Sequence, residues 1–129
     1  MSHRVVFDGL QISNWSEEVL QEIRDGGVGG IYATCAVWDE TLETIRNIAD
    51  WRVLQSRHPE LVRIVTTTQE IREAAAQQQV GVVLGFQNTS PFGQDYSMVE
   101  TFHKLGVRIA QLTCNIQNYV GGACYDPND

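Results

Sequence analysis

The sequence predicts an α/β fold on a parallel sheet, with βα repeats forming the first half, about four strands, of a (β/α)8 barrel. Three observations carry this. Short β-rich runs alternate with amphipathic helical stretches along the chain, the order that βαβ crossovers produce. The run "VGVVLGFQNTSPFG", residues 80–93, is apolar on both faces and then breaks into Gln87, Asn88, Thr89 and Ser90. A strand buried inside a parallel sheet reads this way where it emerges at its carboxyl end. The last strand, "VRIAQLT", opens into a polar tail with no helix after it. A doubly wound sheet would finish with a covering helix, and a closed barrel takes about 250 residues. The expectation is one domain over residues 1–129, a partial barrel truncated at its carboxyl end.

Each element has a local cause. Arg4 to Phe7 is the first strand, stopping at Asp8-Gly9. In "SNWSEEVLQEIRDGG" Asn14 is placed to cap, with Glu17 three residues on. Val19, Leu20 and Ile23 form the apolar stripe, and Gly26-Gly27 the stop. "GGIYATCAVW" is the second strand. A long helix begins at Asp39, with Leu42, Ile45, Ile48, Ala49 and Val53 as its inner face, and ends before His58-Pro59. "LVRIVTT" is a brief strand, after which Thr67 and Glu70 open a short helix as a capping box. Asp95 caps the last helix, which turns Val99, Phe102 and Leu105 inward and stops at Gly106.

Composition narrows the function. The chain is 43% apolar and 19% charged, as globular domains are. No apolar run is long enough to span a bilayer, and the first strand begins too soon to leave room for a signal peptide. A net charge of −7 argues against nucleic acid or an anionic membrane as partner. Cys35, Cys114 and Cys124 form neither a disulfide framework nor a zinc knuckle, so a cytoplasmic protein with reduced thiols is expected. The glycines of "GGVGG" lead from a helix into a strand, the reverse of a phosphate-binding loop.

The stretches "FDGLQISNW", "GGVGGIYATCAVW", "TTTQEIREAAAQQQVGVVLGFQNTS" and "FHKLGVRIAQLTCNIQNYVGGACYD" together resemble the membrane (renal) dipeptidase family of the amidohydrolase superfamily. The resemblance implies a barrel with a two-zinc site that hydrolyses the peptide bond of dipeptides. In that family the first strand ends in Asp-Gly-His-x-Asp, whose histidine and second aspartate bind metal. Here the segment reads Asp8-Gly9-Leu10-Gln11-Ile12, so Leu10 and Ile12 occupy the ligand positions and neither can coordinate. The family's metal-bridging glutamate falls on Gln87, the uncharged isostere, which has an oxygen but no charge to offset two divalent ions. A histidine after Leu-Thr on the next strand is Cys114 here. The resemblance thus implies a small peptide or amide as partner and zinc as cofactor, with the first-half ligands replaced.

Other residues are weighed on their own chemistry. Cys114, at a strand end beside Thr113 and Asn115, is a candidate nucleophile. A catalytic thiol needs a base or a positive field, and no histidine lies near it in sequence. A pair of metal ligands, Cys114 with Cys124, is a further reading, against plain thiols. Cys35 reads as core. Asn88, Asn115, Gln117 and Asn118, with Gln87, are candidates to line a pocket for an amide or carboxylate, although turn chemistry explains asparagines equally well. Asp8 is expected to accept backbone hydrogen bonds. His103 reads as a surface residue, and His3 and His58 receive no role. The alternative function is a non-catalytic small-molecule-binding protein, or an inactive fragment, on the same barrel. A half-barrel with open strand edges would self-associate, so a homo-oligomer is also expected.

Overall fold

The computed structural model describes residues 4–127, so His3 lies outside the described residues. Strand β1 spans Val6–Gln11, helix α1 Glu17–Asp25, β2 Val28–Ala36, α2 Thr41–Arg57 and β3 Val62–Ile64. They are followed by α3 at Thr68–Ala76, β4 at Val80–Phe86, α4 at Ser97–Lys104 and β5 at Val107–Ala110, with a 3-10 turn at Ser90–Phe92. Every strand pairing is parallel. The order is β1-β2-β4-β3, with β5 also on β4. β3 and β5 share one edge of β4: β3 pairs with Val80 to Val82, and β5 with Leu84 to Phe86. The main strands are therefore β1, β2, β4 and β5, as the alternation predicts, and β3 is a short insertion in the crossover from β2.

β4 is buried along its whole length, which is why its sequence shows no polar alternation. On one face Val80, Val82, Leu84 and Phe86 pack with Ile31, Ala33 and Cys35 of β2 beneath Leu20, Ile48, Trp51 and Phe102 from α1, α2 and α4. Phe86 and Phe102 meet edge to face at 5.0 Å between ring centroids, and Phe92 lies 5.8 Å from Phe102. On the other face Val83 packs with Val65, Ile71 and Ala74, so α3 covers part of it. That approach needs glycine. A Cβ on Gly30 would lie 2.9 Å from Phe7 Cδ2 and 3.1 Å from Ile71 Cγ2.

The capping box predicted for α3 is present: Thr67 Oγ1 accepts from Glu70 N at 3.2 Å, and Glu70 Oε2 accepts from Thr67 N at 3.1 Å. The Glu70 carboxylate also takes Thr66 N at 2.6 Å. That Thr66 bond is the main reason its pKa lies below the ordinary glutamate value.

Local expectations are corrected in four elements. β1 continues through Asp8 and Gly9 to Gln11, because β2 offers it a parallel partner as far as Ala33. The cap of α1 is Ser16, whose extended backbone lets Oγ accept from Val19 N at 3.3 Å; Asn14 is exposed. α2 begins at Thr41 after Glu40, while Asp39 instead accepts from Val37 N at 3.0 Å. It also buries a different face. Thr44, Ile48 and Trp51 point inward, and Leu42, Ile45, Ala49 and Val53 are exposed. The Trp51 ring, 4.8 Å from that of Trp15, removes more apolar area from water than the smaller side chains opposite, and so sets the rotation of the helix. In α4, Phe102 is buried as predicted, but Met98 rather than Val99 joins the core. Asp95 stands one residue before the formal cap and accepts from Ser97 N at 2.9 Å.

Candidate functional site

The polar step after β4 is a built site. The ladder runs on past the strand: Gln87 N donates to Ala36 O at 2.9 Å, and Gln111 N donates to Phe86 O at 2.8 Å. Alternation then places Gln87 on the face of Val83 and Gly85, opposite the phenylalanine cluster. There the Tyr32 ring lies over Gly85, where a Cβ would sit 2.3 Å from Tyr32 Cε2 and 2.8 Å from Ile109 O. The Tyr32 hydroxyl donates to Phe86 O at 2.6 Å. Burial pushes its pKa up to about 12, so the phenol stays protonated and keeps that bond at neutral pH.

Gln87 is only 7% exposed. Its Oε1 accepts a long contact from Cys114 Sγ at 3.9 Å. Its Nε2 is buried and finds no acceptor among the described residues. The thiol therefore occupies the oxygen end of the amide and leaves the donor end free.

The neighbouring amides hold the loops. Asn88 Oδ1 accepts from Ser90 N and Ser90 Oγ, both at 2.9 Å, and from Asn118 Nδ2 at 2.7 Å. Asn118 also donates to Leu112 O at 2.8 Å, and its Oδ1 accepts from Val120 N at 2.8 Å. These bonds tie the loop after β4 to the tail after β5. Asn115 has a left-handed backbone, φ 64°, and its Oδ1 meets Cys124 Sγ at 3.7 Å. Gln117 contributes its backbone N–H, which donates to Asp126 Oδ1 at 3.1 Å. Trp38 Nε1 donates to Cys114 O at 3.1 Å, bringing the end of β2 to the same place.

The other singled-out residues lie elsewhere. Leu10 and Ile12 are 42% and 62% exposed near the end of β1, and Ile12 borders an open groove of about 420 Å³ with Trp15, Val37 and Trp51. The Asp8 carboxylate accepts from Gln11 Nε2 at 2.6 Å and Leu10 N at 3.1 Å, and these bonds lower its pKa. Cys35 is buried, with its thiol pushed up to about 12 by desolvation, an inert core group. His58 faces Glu17 at 3.6 Å at the end of α2, and His103 is exposed on α4, so neither serves Cys114 as a base. A larger hollow of about 1010 Å³ opens at the opposite, amino end of the strands and is bordered by Arg4, Arg24 and Arg72. Sequence reading missed Tyr32 and Gly85. The signal was a tyrosine inside a buried strand, whose hydroxyl has to find a partner.

An α/β half-barrel with a polar step at its strand ends is the arrangement in which barrel scaffolds hold ligands. The family model for membrane dipeptidases, peptidase family M19, matches residues 6–129, and the chain belongs to that family. Among solved structures it is similar to an amidohydrolase from Pseudomonas aeruginosa, with 38% identity and a TM-score of 0.92 over 95% of this chain and 38% of that one. It is similar in fold to the dipeptidase AC, a metallopeptidase, with 16% identity and a TM-score of 0.73 over 84% of this chain and 42% of that one. A metallopeptidase from Rhodobacter sphaeroides, liganded with a phosphinate mimic of the dipeptide L-Ala-D-Ala, gives 14% identity and a TM-score of 0.73 over 84% and 45% of the two chains. No curated protein gives a match. The chain spans less than half the length of each of these structures. Its βα steps match the first half of their barrel. Among the described residues no helix is long and apolar enough to cross a membrane.

Proposed function

We propose that the protein is a dipeptidase-like hydrolase whose small peptide or amide substrate lies at the carboxyl ends of β2, β4 and β5. One observation carries the reading: in a chain of the M19 family, Gln87, Asn88 and Thr89 form a buried polar step where barrel scaffolds bind ligands. Asn118 sets the shape of this rim with both ends of its amide engaged, whereas Asn88 braces it through Oδ1 alone and keeps its Nδ2 donor for a ligand. Asn115 stands at its edge. A cytoplasmic setting suits the three unpaired cysteines.

Zinc is the metal the family resemblance implies, and the described residues do not fit a two-zinc centre. Leu10 and Ile12 carry no donor atoms, and Gln87 brings no charge. Among the described residues no group of three His, Cys, Asp or Glu side chains comes together. The described residues therefore do not supply the ligand set of a two-zinc centre.

The neutral amide at Gln87 favours a second reading, binding of the same ligands without turnover. A panel of dipeptides incubated with the full-length protein separates the two. Release of free amino acids supports the hydrolase; binding by calorimetry without release supports the binding protein; neither result contradicts both.

A further inference from the structure

We propose that the corner between β4, β5 and Tyr32 binds the carbonyl oxygen of an uncharged amide, with Gln87 Nε2 as the donor, and is not part of a metal centre. This rests on the reading of the end of β4 as the ligand site.

The first observation is the unmade bond. Gln87 is more than nine-tenths buried, and its Nε2 has no partner among the described residues. A buried amide donor left without an acceptor costs free energy, which an incoming acceptor recovers. The other end of the amide faces Cys114, with Sγ 3.9 Å from Oε1, a long and weak contact. Behind the amide, the Tyr32 ring fills the notch at Gly85, and its hydroxyl is committed to Phe86 O. Nothing in this wall competes for the Nε2 proton.

The second observation decides the charge of the ligand atom. None of the nine Lys and Arg residues falls in segments 9–23, 33–45, 87–103 or 109–127, which contain or follow the carboxyl ends of the main strands. Those segments do carry Asp39, Glu40, Asp95 and Asp126. A carboxylate brought to Gln87 would lose its water with no cation from these segments to meet it and would face their acidic side chains. A neutral carbonyl pays neither cost, and one N–H donor satisfies it. The same rim attracts a ligand whose other end is cationic, as the free amino group of a peptide is.

The test compares the full-length protein with its Gln87→Met variant, which keeps the side-chain length and removes the donor. The probes are N-acetyl-L-alaninamide, uncharged, and N-acetyl-L-alanine, its carboxylate counterpart, titrated by calorimetry or NMR. The parent is expected to bind the amide more tightly than the acid. The variant is expected to bind the amide about tenfold more weakly, while its ligand-free thermal midpoint is little changed, since the one contact it loses is the long 3.9 Å approach of Cys114 Sγ to Oε1. Equal binding by parent and variant, no binding by the parent, or preference for the acid overturns the inference. So does a ligand-free midpoint lowered well beyond that of Cys114→Ala, which removes the same Oε1 contact, because Nε2 would then already be bonded within the folded protein. The two proposals fail separately. Dipeptide hydrolysis with KM unchanged by Gln87→Met removes the inference and leaves the hydrolase, whereas Gln87-dependent amide binding without hydrolysis does the reverse.

Discussion

Phe102→Ala is expected to lower the unfolding free energy by about 4 kcal/mol. The ring is fully buried and stands edge-on to Phe86 at 5.0 Å and 89°. It is the main contact holding α4 against the strand that ends in Gln87. Truncation removes the transfer free energy of the ring and leaves a cavity bounded by Phe86 and Phe92 on a sheet that cannot collapse into it. Val99→Ala, three residues away on the exposed side of the same helix, is expected to change stability by less than about 0.5 kcal/mol. Urea denaturation of both variants checks the pair. Similar losses at the two positions would mean that α4 is rotated from the arrangement described.

Gly85→Ala is expected to cost about 3 kcal/mol although it adds a single methyl group. The new Cβ would stand 2.3 Å from Tyr32 Cε2 and 2.8 Å from the Ile109 carbonyl oxygen. The oxygen belongs to a paired strand and cannot retreat. The Tyr32 ring must therefore leave, breaking its 2.6 Å hydrogen bond to Phe86 O. The substitution also predicts a functional effect larger than its stability cost implies, because the displaced ring is the wall beside Gln87. A second variant, Gly85→Ala with Tyr32→Ala, separates the two effects by giving the methyl group room. Recovery of part of the lost stability in the double variant would identify the ring as the obstacle.

Local chemistry was legible in the sequence, and long-range pairing was not. The capping box of Thr67 and Glu70 is a four-residue pattern and forms as read. The buried strand ending at Gln87 is written in seven consecutive apolar or glycine residues. The inner face of α2 was misread because a stripe of Leu42, Ile45 and Val53 is as periodic as the one that packs. What decides between them is Trp15, 36 residues from Trp51 in sequence and 4.8 Å from it in space. The role of Gly85 depends likewise on Tyr32 from a neighbouring strand. The bond from Asn118 to Asn88 joins loops 30 residues apart, a brace that no local pattern shows. Gln87 was visible as a neutral residue at a strand end, but the vacancy at its Nε2 is a property of the packed site. The separation of cations from the strand ends could have been read from the sequence, since it needs only the strand boundaries and the positions of nine residues.

The central proposal is that the end of β4 presents an uncharged, amide-recognising corner where the family resemblance implies a metal ligand. The zinc content of the full-length protein tests it most directly, by elemental analysis after equilibration with zinc and dialysis. The account predicts no more than one zinc per chain, with the amount unchanged by Gln87→Met. Two zinc ions retained per chain, one of them lost in that variant, would contradict it.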